Sequence, residues 1–387
     1  MRSLRIAMIS PPWIPLPPNG YGGIELVVDL LTRELLRRGH DVTVFSCEGS
    51  DPALNVVALA GGDWFEDLGG PDQRVREATY LRRVYDNIRS GRFDVVHDHT
   101  EYPGIALAHS LRLPLPVIAT MHGWIGPKQS QFLRDVHGQI GLAAISETQK
   151  AAAPGILWDA VVHNAIDTES LRFSAQKDDY LLQLARINPD KGQHIAIEVA
   201  KTVDLPLVLA GKLDADRRSQ EYFVKEIEPH LGDQVTWLPD VAGEDKKGLL
   251  ARARAMLFPI AWEEPFGLAM VEAMGSGTPV VAFPRGAARE IVEPGLTGFL
   301  GQTASELADL VRRADEIDPS RCRARVTERF NAGRMTDGYE AAYQIALASH
   351  GHTAHRASWL QSLRRGIARR VVQREAVAGR DLRGAAG

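Results

Sequence analysis

Short, continuous apolar runs alternate along this chain with longer stretches in which apolar residues recur every third or fourth position. Leu4–Ser10 is a run of the first kind, and Ile24–Arg38 is a stretch of the second kind. Gly39 is suited to end the resulting helix, and Val42–Phe45 returns to a β-branched strand pattern. The order strand, helix, strand predicts a right-handed crossover in a parallel sheet.

The alternation continues along the chain and predicts an α/β fold with two Rossmann-like, doubly wound domains. Buried parallel strands are near-continuous apolar runs because helices cover both faces of the sheet. Further strands are predicted at Val95–His97, Pro116–Thr120, Ala143–Ile145, Val161–His163, Tyr180–Ala185, Leu207–Ala210, Val235–Trp237, Ala255–Phe258 and Val280–Ala282. The polar stretch Asp167–Asp179 has no clean period and separates predicted domains at 1–170 and 171–345. Two such domains leave a cleft in which strand ends and helix N-termini meet.

Composition narrows the class of protein. The 387 residues are 44% hydrophobic and 24% charged, as is typical of a globular protein, and the net charge of −4 argues against a nucleic-acid binder. With two cysteines, Cys47 and Cys322, a disulfide framework is not expected and a reducing compartment fits better. The only apolar run at the N-terminus, Ile6–Ile9, is too short for a signal peptide or membrane span. We therefore expect a cytoplasmic protein.

Two carboxylates bracket the most informative segment, Trp262–Met274. It follows a predicted strand, turns at Pro265 and Gly267, and continues as a helix. A helix N-terminus has unpaired N–H groups that suit phosphate or sugar oxygens. Glu264 and Glu272 would be about 12 Å apart along eight helical residues, so one would hold the transferred hexose and the other the ribose of a nucleotide-sugar. The alternative is an amphipathic helix with acidic residues in its first turns.

A second segment, Leu184–Gly192, follows the first strand of the second domain, where α/β sheets bind ligands. Arg186 and Lys191 would stabilise the negative charge of a leaving nucleotide diphosphate. The alternative is a surface turn with two solvated cations.

A glycine-containing loop, Asn19–Gly23, precedes the first helix. Gly22 and Gly23 would let the backbone approach a ligand closely, although a tight turn needs the same residues. The loop lacks the Gly-x-Gly-x-x-Gly pattern, so a nicotinamide cofactor is not indicated.

Histidines follow two of the predicted strands. His97 and His99 could bind a metal, but no third ligand is evident and His97 lies on the apolar side of its strand. His122 is a better candidate for the cleft. Asp214–Asp216 matches a short acidic metal motif, but it precedes a predicted helix and is more simply interpreted as an N-cap. No metal site is predicted.

Together these segments resemble family 4 of the retaining GT-B glycosyltransferases. The resemblance covers residues 4–345, and its most specific part is the Glu-x7-Glu segment Glu264–Glu272 followed by Gly277–Val281. Supporting matches are Gly22-Gly23, His122-Gly123, Asn164–Asp167, Arg186, Lys191-Gly192 and Gly295–Gly298. Ala185 and Ala165 stand where the family commonly has glycine, which could alter loop geometry but leaves the charged positions in place.

The resemblance implies a GT-B fold with an N-terminal acceptor-side domain and a C-terminal donor domain. It implies retaining transfer of glucose or mannose from UDP- or GDP-sugar to an acceptor sugar, lipid or small molecule, without metal or other cofactor. The implied catalytic residues are His122, Arg186, Lys191 and Glu264. The implied substrate-binding residues are Gly22, Gly23, Phe266, Gly267, Leu268 and Glu272.

The C-terminal tail, residues 346–387, is rich in arginine. Trp359, Leu363, Ile367 and Val371 recur every four residues and predict a basic amphipathic helix. Such a helix would rest on anionic lipid as a peripheral membrane contact. The family resemblance favours the other interpretation, a helix that crosses back to the N-terminal domain.

Four other functions fit parts of this pattern. A sugar phosphorylase or nucleotide-sugar epimerase of the same fold would use the same cations and glutamates. An inactive nucleotide-sugar binding homologue is disfavoured because Arg186, Lys191, Glu264 and Glu272 are all present. A nicotinamide dehydrogenase is disfavoured by the missing fingerprint.

Overall fold

A computed structural model describes residues 2–350 of the chain, apart from residues 21 and 63. The first of its two sheets is entirely parallel, with the strand order β3-β2-β1-β4-β5-β6-β7. Its strands are β1 Arg5–Ile9, β2 Asp41–Cys47, β3 Val56–Ala60, β4 Val95–Asp98, β5 Val117–Met121, β6 Gly141–Ala144 and β7 Ala160–Val161.

The second sheet is also parallel, with the order β10-β9-β8-β11-β12-β13. Its strands are β8 Asp178–Leu184, β9 Leu207–Ala210, β10 Val235–Leu238, β11 Ala253–Phe258, β12 Val280–Ala282 and β13 Gly298–Leu300. In both sheets the order reverses beside the first strand, and such a switch point opens a crevice at the carboxyl ends of the strands. The predicted α/β fold with two Rossmann-like sheets is confirmed.

Helices connect the strands of both sheets. They are α1 Gly23–Arg37, α2 Gln73–Ser90, α3 Tyr102–Leu111, α4 Pro127–Val136, α5 Glu147–Ala152, α6 Gln193–Val203, α7 Arg217–Tyr222, α8 Gly243–Arg252, α9 Leu268–Gly275, α10 Ala288–Ile291, α11 Ala304–Arg312, α12 Pro319–Arg329 and α13 at 332–350. Within the described ranges, no helix combines the length and apolarity needed to cross a bilayer.

Every predicted strand overlaps an observed one, but the prediction missed β3 and β13. Both lie at the edges of their sheets. Val56–Ala60 is mostly half-buried, and Gly298–Leu300 contains only three residues and begins with glycine, so neither shows the long apolar run of a central strand.

The helix α13 returns from the second domain to the first. Met335, Tyr339 and Tyr343 pack in the core formed by α1 and the first sheet. The hydroxyl of Tyr343 lies 2.8 Å from His97 Nδ1, and Thr120 donates to the hydroxyl of Tyr339 at 3.1 Å. The predicted basic amphipathic helix around Trp359 lies outside the described residues.

Candidate active site

The predicted site residues all follow the carboxyl ends of strands. The loop with Gly22 and Gly23 follows β1, His122 follows β5, Lys191 follows β8 and Glu264 follows β11. Leu268, the first residue of α9, packs against the cores of both domains. A β-carbon on Gly23 would lie 3.3 Å from Leu268 Cδ1, so the glycine loop and α9 meet across the cleft.

Glu264 lies at the centre of the predicted donor-site residues. Its Oε2 accepts a hydrogen bond from Lys191 Nζ at 2.8 Å and another from Trp262 Nε1 at 3.1 Å. The side chains of Lys191 and Glu264 are each 15% exposed, and the ammonium lies 4.7 Å from the centroid of the Trp262 ring. Such a shielded ion pair is stronger than a surface pair and costs more to break.

Two glycines allow the loops around this ion pair to pack closely. A side chain on Gly192 would collide with the carbonyl of Pro259, and one on Gly286 would collide with the backbone of Glu264. Both glycines also have positive φ, 69° and 53° respectively. The nitrogen of Ala287 donates to the carbonyl of Glu264 at 2.9 Å. The position of Glu264 therefore depends on backbone contacts that a β-carbon at either glycine would disturb.

Glu272 lies in α9 and has a lysine partner of its own. Lys246 Nζ donates to Glu272 Oε1 at 2.7 Å, with side-chain exposures of 24% and 13%. The sequence prediction missed Lys246, since nothing in the pattern of α8 separates it from the neighbouring Lys247. The sequence places Glu264 before the helix and Glu272 within it, and the structure agrees. The spacing estimated from eight helical residues was wrong, because α9 begins only at Leu268.

The residues between the two glutamates contribute differently. Gly267 caps α9 in a left-handed conformation with φ of 91°, so that the first N–H groups of the helix face the end of the loop. The Phe266 side chain is buried, 5.8 Å from the rings of both His163 and Phe330. At Phe266, the main chain rather than the ring is therefore available to a ligand.

Arg186 is paired with an acidic residue in the next loop of its sheet. Its Nη1 lies 2.8 and 2.9 Å from the two carboxylate oxygens of Asp214, and Asn188 donates to the same carboxylate. The sequence-based N-cap interpretation holds for Asp216, which accepts from the nitrogen of Ser219. It was wrong for Asp214, which binds Arg186 because β8 and β9 are neighbours and end side by side.

On the N-terminal side, His122 is held by two residues that follow the adjacent strand. Its Nε2 lies 2.9 Å from His99 Nδ1, and its backbone nitrogen donates to Glu101 Oε1 at 2.8 Å. Burial lowers the pKa of His122 to about 3 and that of His99 well below its usual range, so both imidazoles are neutral at pH 7. The alternative of a metal at His97 and His99 loses support, because both ring nitrogens of His97 contact hydroxyl groups, those of Tyr343 and Thr120.

Comparisons with known proteins match two consecutive parts of the chain. A family model described as "Glycosyltransferase Family 4" matches residues 21–170, and one described as "Glycosyl transferases group 1" matches residues 167–328. Together they span both domains. The chain belongs to the family 4 glycosyltransferases.

Relatives of this glycosyltransferase cover most of its length. Glycogen synthase of Mycobacterium tuberculosis is 28% identical over 76% of this chain and 81% of its own. D-inositol 3-phosphate glycosyltransferase of Mycolicibacterium smegmatis is 25% identical over 94% and 97%. The crystal structure of AviGT4, a glycosyltransferase involved in avilamycin A biosynthesis, is 25% identical, with a TM-score of 0.67 over 89% of this chain and 98% of that one.

A half-buried carboxylate joins the two domains of the glycosyltransferase beside the site. Glu290 of α10 accepts hydrogen bonds from the backbone nitrogens of Glu147 and Thr148 and from the Thr148 hydroxyl, and His163 Nε2 lies 3.0 Å away. Burial opposes ionisation, but these hydrogen bonds outweigh it and lower the pKa of Glu290 to about 2. The contact fixes the N-terminus of α5 against the second domain.

Sequence reasoning missed three residues that hold the site together: Glu101, Lys246 and Glu290. Glu101 had a usable signal, because it follows β4 just as His122 follows β5, and neighbouring parallel strands end at the same edge. Lys246 and Glu290 lie within helices among other charged residues and had no such signal.

Proposed function

We propose that this glycosyltransferase transfers glucose or mannose from a UDP- or GDP-sugar to an acceptor hydroxyl, with retention of anomeric configuration and without a metal ion. The observation that carries the proposal is the shielded Lys191–Glu264 ion pair, which lies just before the N-terminus of α9. Lysine suits a diphosphate, and an ionised carboxylate suits sugar hydroxyls.

The donor would bind by exchanging partners with these residues. Without a ligand, the carboxylates of Glu264 and Glu272 are neutralised by Lys191 and Lys246. A nucleotide diphosphate would draw the ammonium of Lys191 toward its phosphates and leave Glu264 free to accept from the hexose. Glu272 would accept from the ribose in the same way. Arg186, whose pair with Asp214 is more exposed, would add positive charge at the phosphates.

Transfer would proceed on one face of the sugar. The bond from the anomeric carbon to the leaving phosphate oxygen breaks, the acceptor oxygen bonds to the same carbon, and the acceptor proton passes to the phosphate oxygen. Lys191 and Arg186 would stabilise the charge that develops on that phosphate. His122, neutral at pH 7 because of its low pKa, would act as a hydrogen-bonding group toward the sugar rather than as an acid.

The remaining assignments follow from the positions of the loops. Gly22 and Gly23 would lie near the donor phosphates, since their loop meets α9 at Leu268. The backbone of Phe266, Gly267 and Leu268 would contact the hexose. We also propose a cytoplasmic location. Lipid contact through the tail stays a prediction from sequence.

The test is a calorimetric titration of the full chain with UDP, GDP, ADP and their glucose and mannose conjugates in the presence of a chelator. We expect selective binding of one nucleotide, weakened at least tenfold by Glu272→Ala and by Arg186→Ala. Glu244→Ala, which removes an exposed glutamate of α8, is the matched control. Slow release of α-configured sugar from the conjugate would support retaining transfer. Binding of none of these compounds would refute the donor site, and dependence on added metal would refute the metal-free mechanism.

A further inference from the structure

A cavity of about 230 Å³ opens on the first domain beside the glycine loop. One side is formed by the start of α1 and the other by the residues after β4 that hold His122. Among the residues that line it are Trp13, Gly23, Glu25, Glu77, His99 and Glu101. The cavity therefore borders the place where the donor phosphates would lie, and it does so from the acceptor side.

Three carboxylates line this cavity without a cation. Glu25 is only 5% exposed, and Glu77 and Glu101 are half-buried. In the described part of the chain, no lysine or arginine lines the cavity or forms an ion pair with these three groups. Burial raises the pKa of Glu25 to about 7, and it raises the pKa values of Glu77 and Glu101 as well. Carboxylates placed this way are costly to ionise until a positive charge arrives.

A second observation, independent of the carboxylates, also indicates a ligand. His99 is fully buried, and its Nδ1 atom is engaged with His122. Its Nε2 atom, on the other side of the ring, has no hydrogen-bond partner among the described residues. An unpaired buried polar atom is destabilising, and a ligand hydroxyl or amine would satisfy it.

The size and remaining lining of the cavity set the class of ligand. Its volume is below the roughly 300–1,000 Å³ of pockets for drug-sized molecules, and it suits a single six-membered ring. Trp13 offers an aromatic surface for the C–H face of such a ring. A neutral ring would leave three carboxylates unopposed, and a phosphorylated ring would add a like charge. An ammonium group on the ring complements all three.

We propose that this cavity binds the acceptor, and that the acceptor ring carries a protonated amine, as in an amino sugar or aminocyclitol. The proposal rests on the glycosyltransferase function proposed above and adds the class of acceptor. Glu77 and Glu25 would contact the ammonium group, and His99 Nε2 would bind a ring hydroxyl. Glu101 would act mainly as a positioning residue, since its carboxylate already accepts from the backbone of His122 and Gly123.

The experiment uses the full chain saturated with the nucleotide diphosphate that it binds. Glucosamine, 2-deoxystreptamine, glucose and glucose 6-phosphate are titrated in turn by calorimetry. We expect at least one of the amines to bind tenfold or more tightly than glucose, and glucose 6-phosphate to bind most weakly. Glu77→Gln should reduce the preference for amine over glucose to less than threefold. Asp41→Asn, an exposed carboxylate of the same domain, should leave the preference unchanged.

The outcomes separate this proposal from the proposed function. If the nucleotide does not bind, the donor site fails before any acceptor is tested. If the nucleotide binds but glucose or glucose 6-phosphate binds as tightly as both amines, the acceptor proposal is overturned and the donor site stands. Glu25→Gln provides a second variant if Glu77→Gln unfolds, and a preference unaffected by both changes would equally overturn the proposal.

Discussion

The two sides of the cleft differ in how their partly or fully buried carboxylates are paired. On the proposed donor side, Glu264 and Glu272 each have a lysine within 2.8 Å. On the acceptor side, Glu25, Glu77 and Glu101 have no cationic partner among the described residues.

This difference predicts how each side responds to a ligand. On the proposed donor side each carboxylate already has a lysine partner, so an anionic ligand would bind by drawing those lysines toward its phosphates. The acceptor side keeps carboxylates in a poorly solvated place, and only a cationic ligand relieves their cost. The paired carboxylates therefore favour an anionic ligand, and the unpaired carboxylates favour a cationic ligand.

The largest expected effect comes from removing a cation on the paired side. Lys191→Ala should lower kcat/KM by about 10²- to 10³-fold, because it removes the charge proposed to stabilise the leaving phosphate and leaves the shielded Glu264 without its cationic partner. The measurement is steady-state transfer or donor hydrolysis. Lys212→Ala is the matched control. This lysine is 55% exposed, and its ion pair with Asp240 is long, at 3.8 Å. Equal losses in both variants would remove the reason to single out the Lys191–Glu264 pair.

A smaller loss should follow from a change that moves Glu264 without altering any charge. Gly286→Ala places a methyl group against the Glu264 backbone at a positive φ, and it should lower kcat/KM about tenfold or more by displacing that carboxylate. Gly232→Ala adds the same methyl group where nothing lies within 4 Å, and it should leave activity unchanged. Transfer rates at matched folded fractions distinguish the two. Full activity of Gly286→Ala would show that the packing around Glu264 does not set its position.

The residues of the proposed donor side could be selected from the sequence because they are close together along the chain. Arg186 and Lys191 follow one strand, Glu264 and Glu272 follow another, and strand ends can be located from apolar runs. Their partners could not be predicted in the same way. Lys246 and Asp214 meet them only through the order of the strands and the tilt of the helices, which a pattern of apolar residues does not encode.

The acceptor side was much less visible in the sequence. Glu25 lies between apolar residues at the start of α1, and Glu77 lies among polar residues of α2, and no motif marks either position. Their burial depends on how α1, α2 and the loop after β4 pack together. The fold was easier to predict than either side of the cleft, since repeated apolar runs specify parallel strands whatever the loops do.

The unpaired carboxylate of Glu25 should also affect how the free energy of unfolding depends on pH. The pKa of Glu25 is raised to about 7 from a usual value near 4.5, so the folded state is favoured when this group is protonated. That contribution is complete below about pH 4.5 and is lost as pH rises to about 7. Glu25→Gln should therefore be more stable than the wild type by roughly 1–3 kcal/mol at pH 8 and about equal to it near pH 4.5.

Thermal melts at both pH values measure this difference. Asp41→Asn is the control, because Asp41 is exposed and its replacement should change Tm little at either pH. A Glu25→Gln variant with the same Tm as the wild type at pH 8 would mean that the ionised carboxylate of Glu25 does not destabilise the folded protein. The contrast between the two sides of the cleft would then be weaker.

The smallest expected effect concerns the packing of α13 against the first domain rather than the cleft itself. Tyr343 on α13 contacts buried His97 Nδ1 at 2.8 Å, so Tyr343→Phe leaves that nitrogen unpaired and should cost about 1–2 kcal/mol, measured as a lower urea midpoint. Tyr339→Phe should cost less, because Thr120 keeps its other contact with His97. Donor affinity should be unchanged in both variants, since neither hydroxyl lies among the donor-side residues. Equal destabilisation by the two changes would mean that the His97 contact adds nothing specific to the docking of α13.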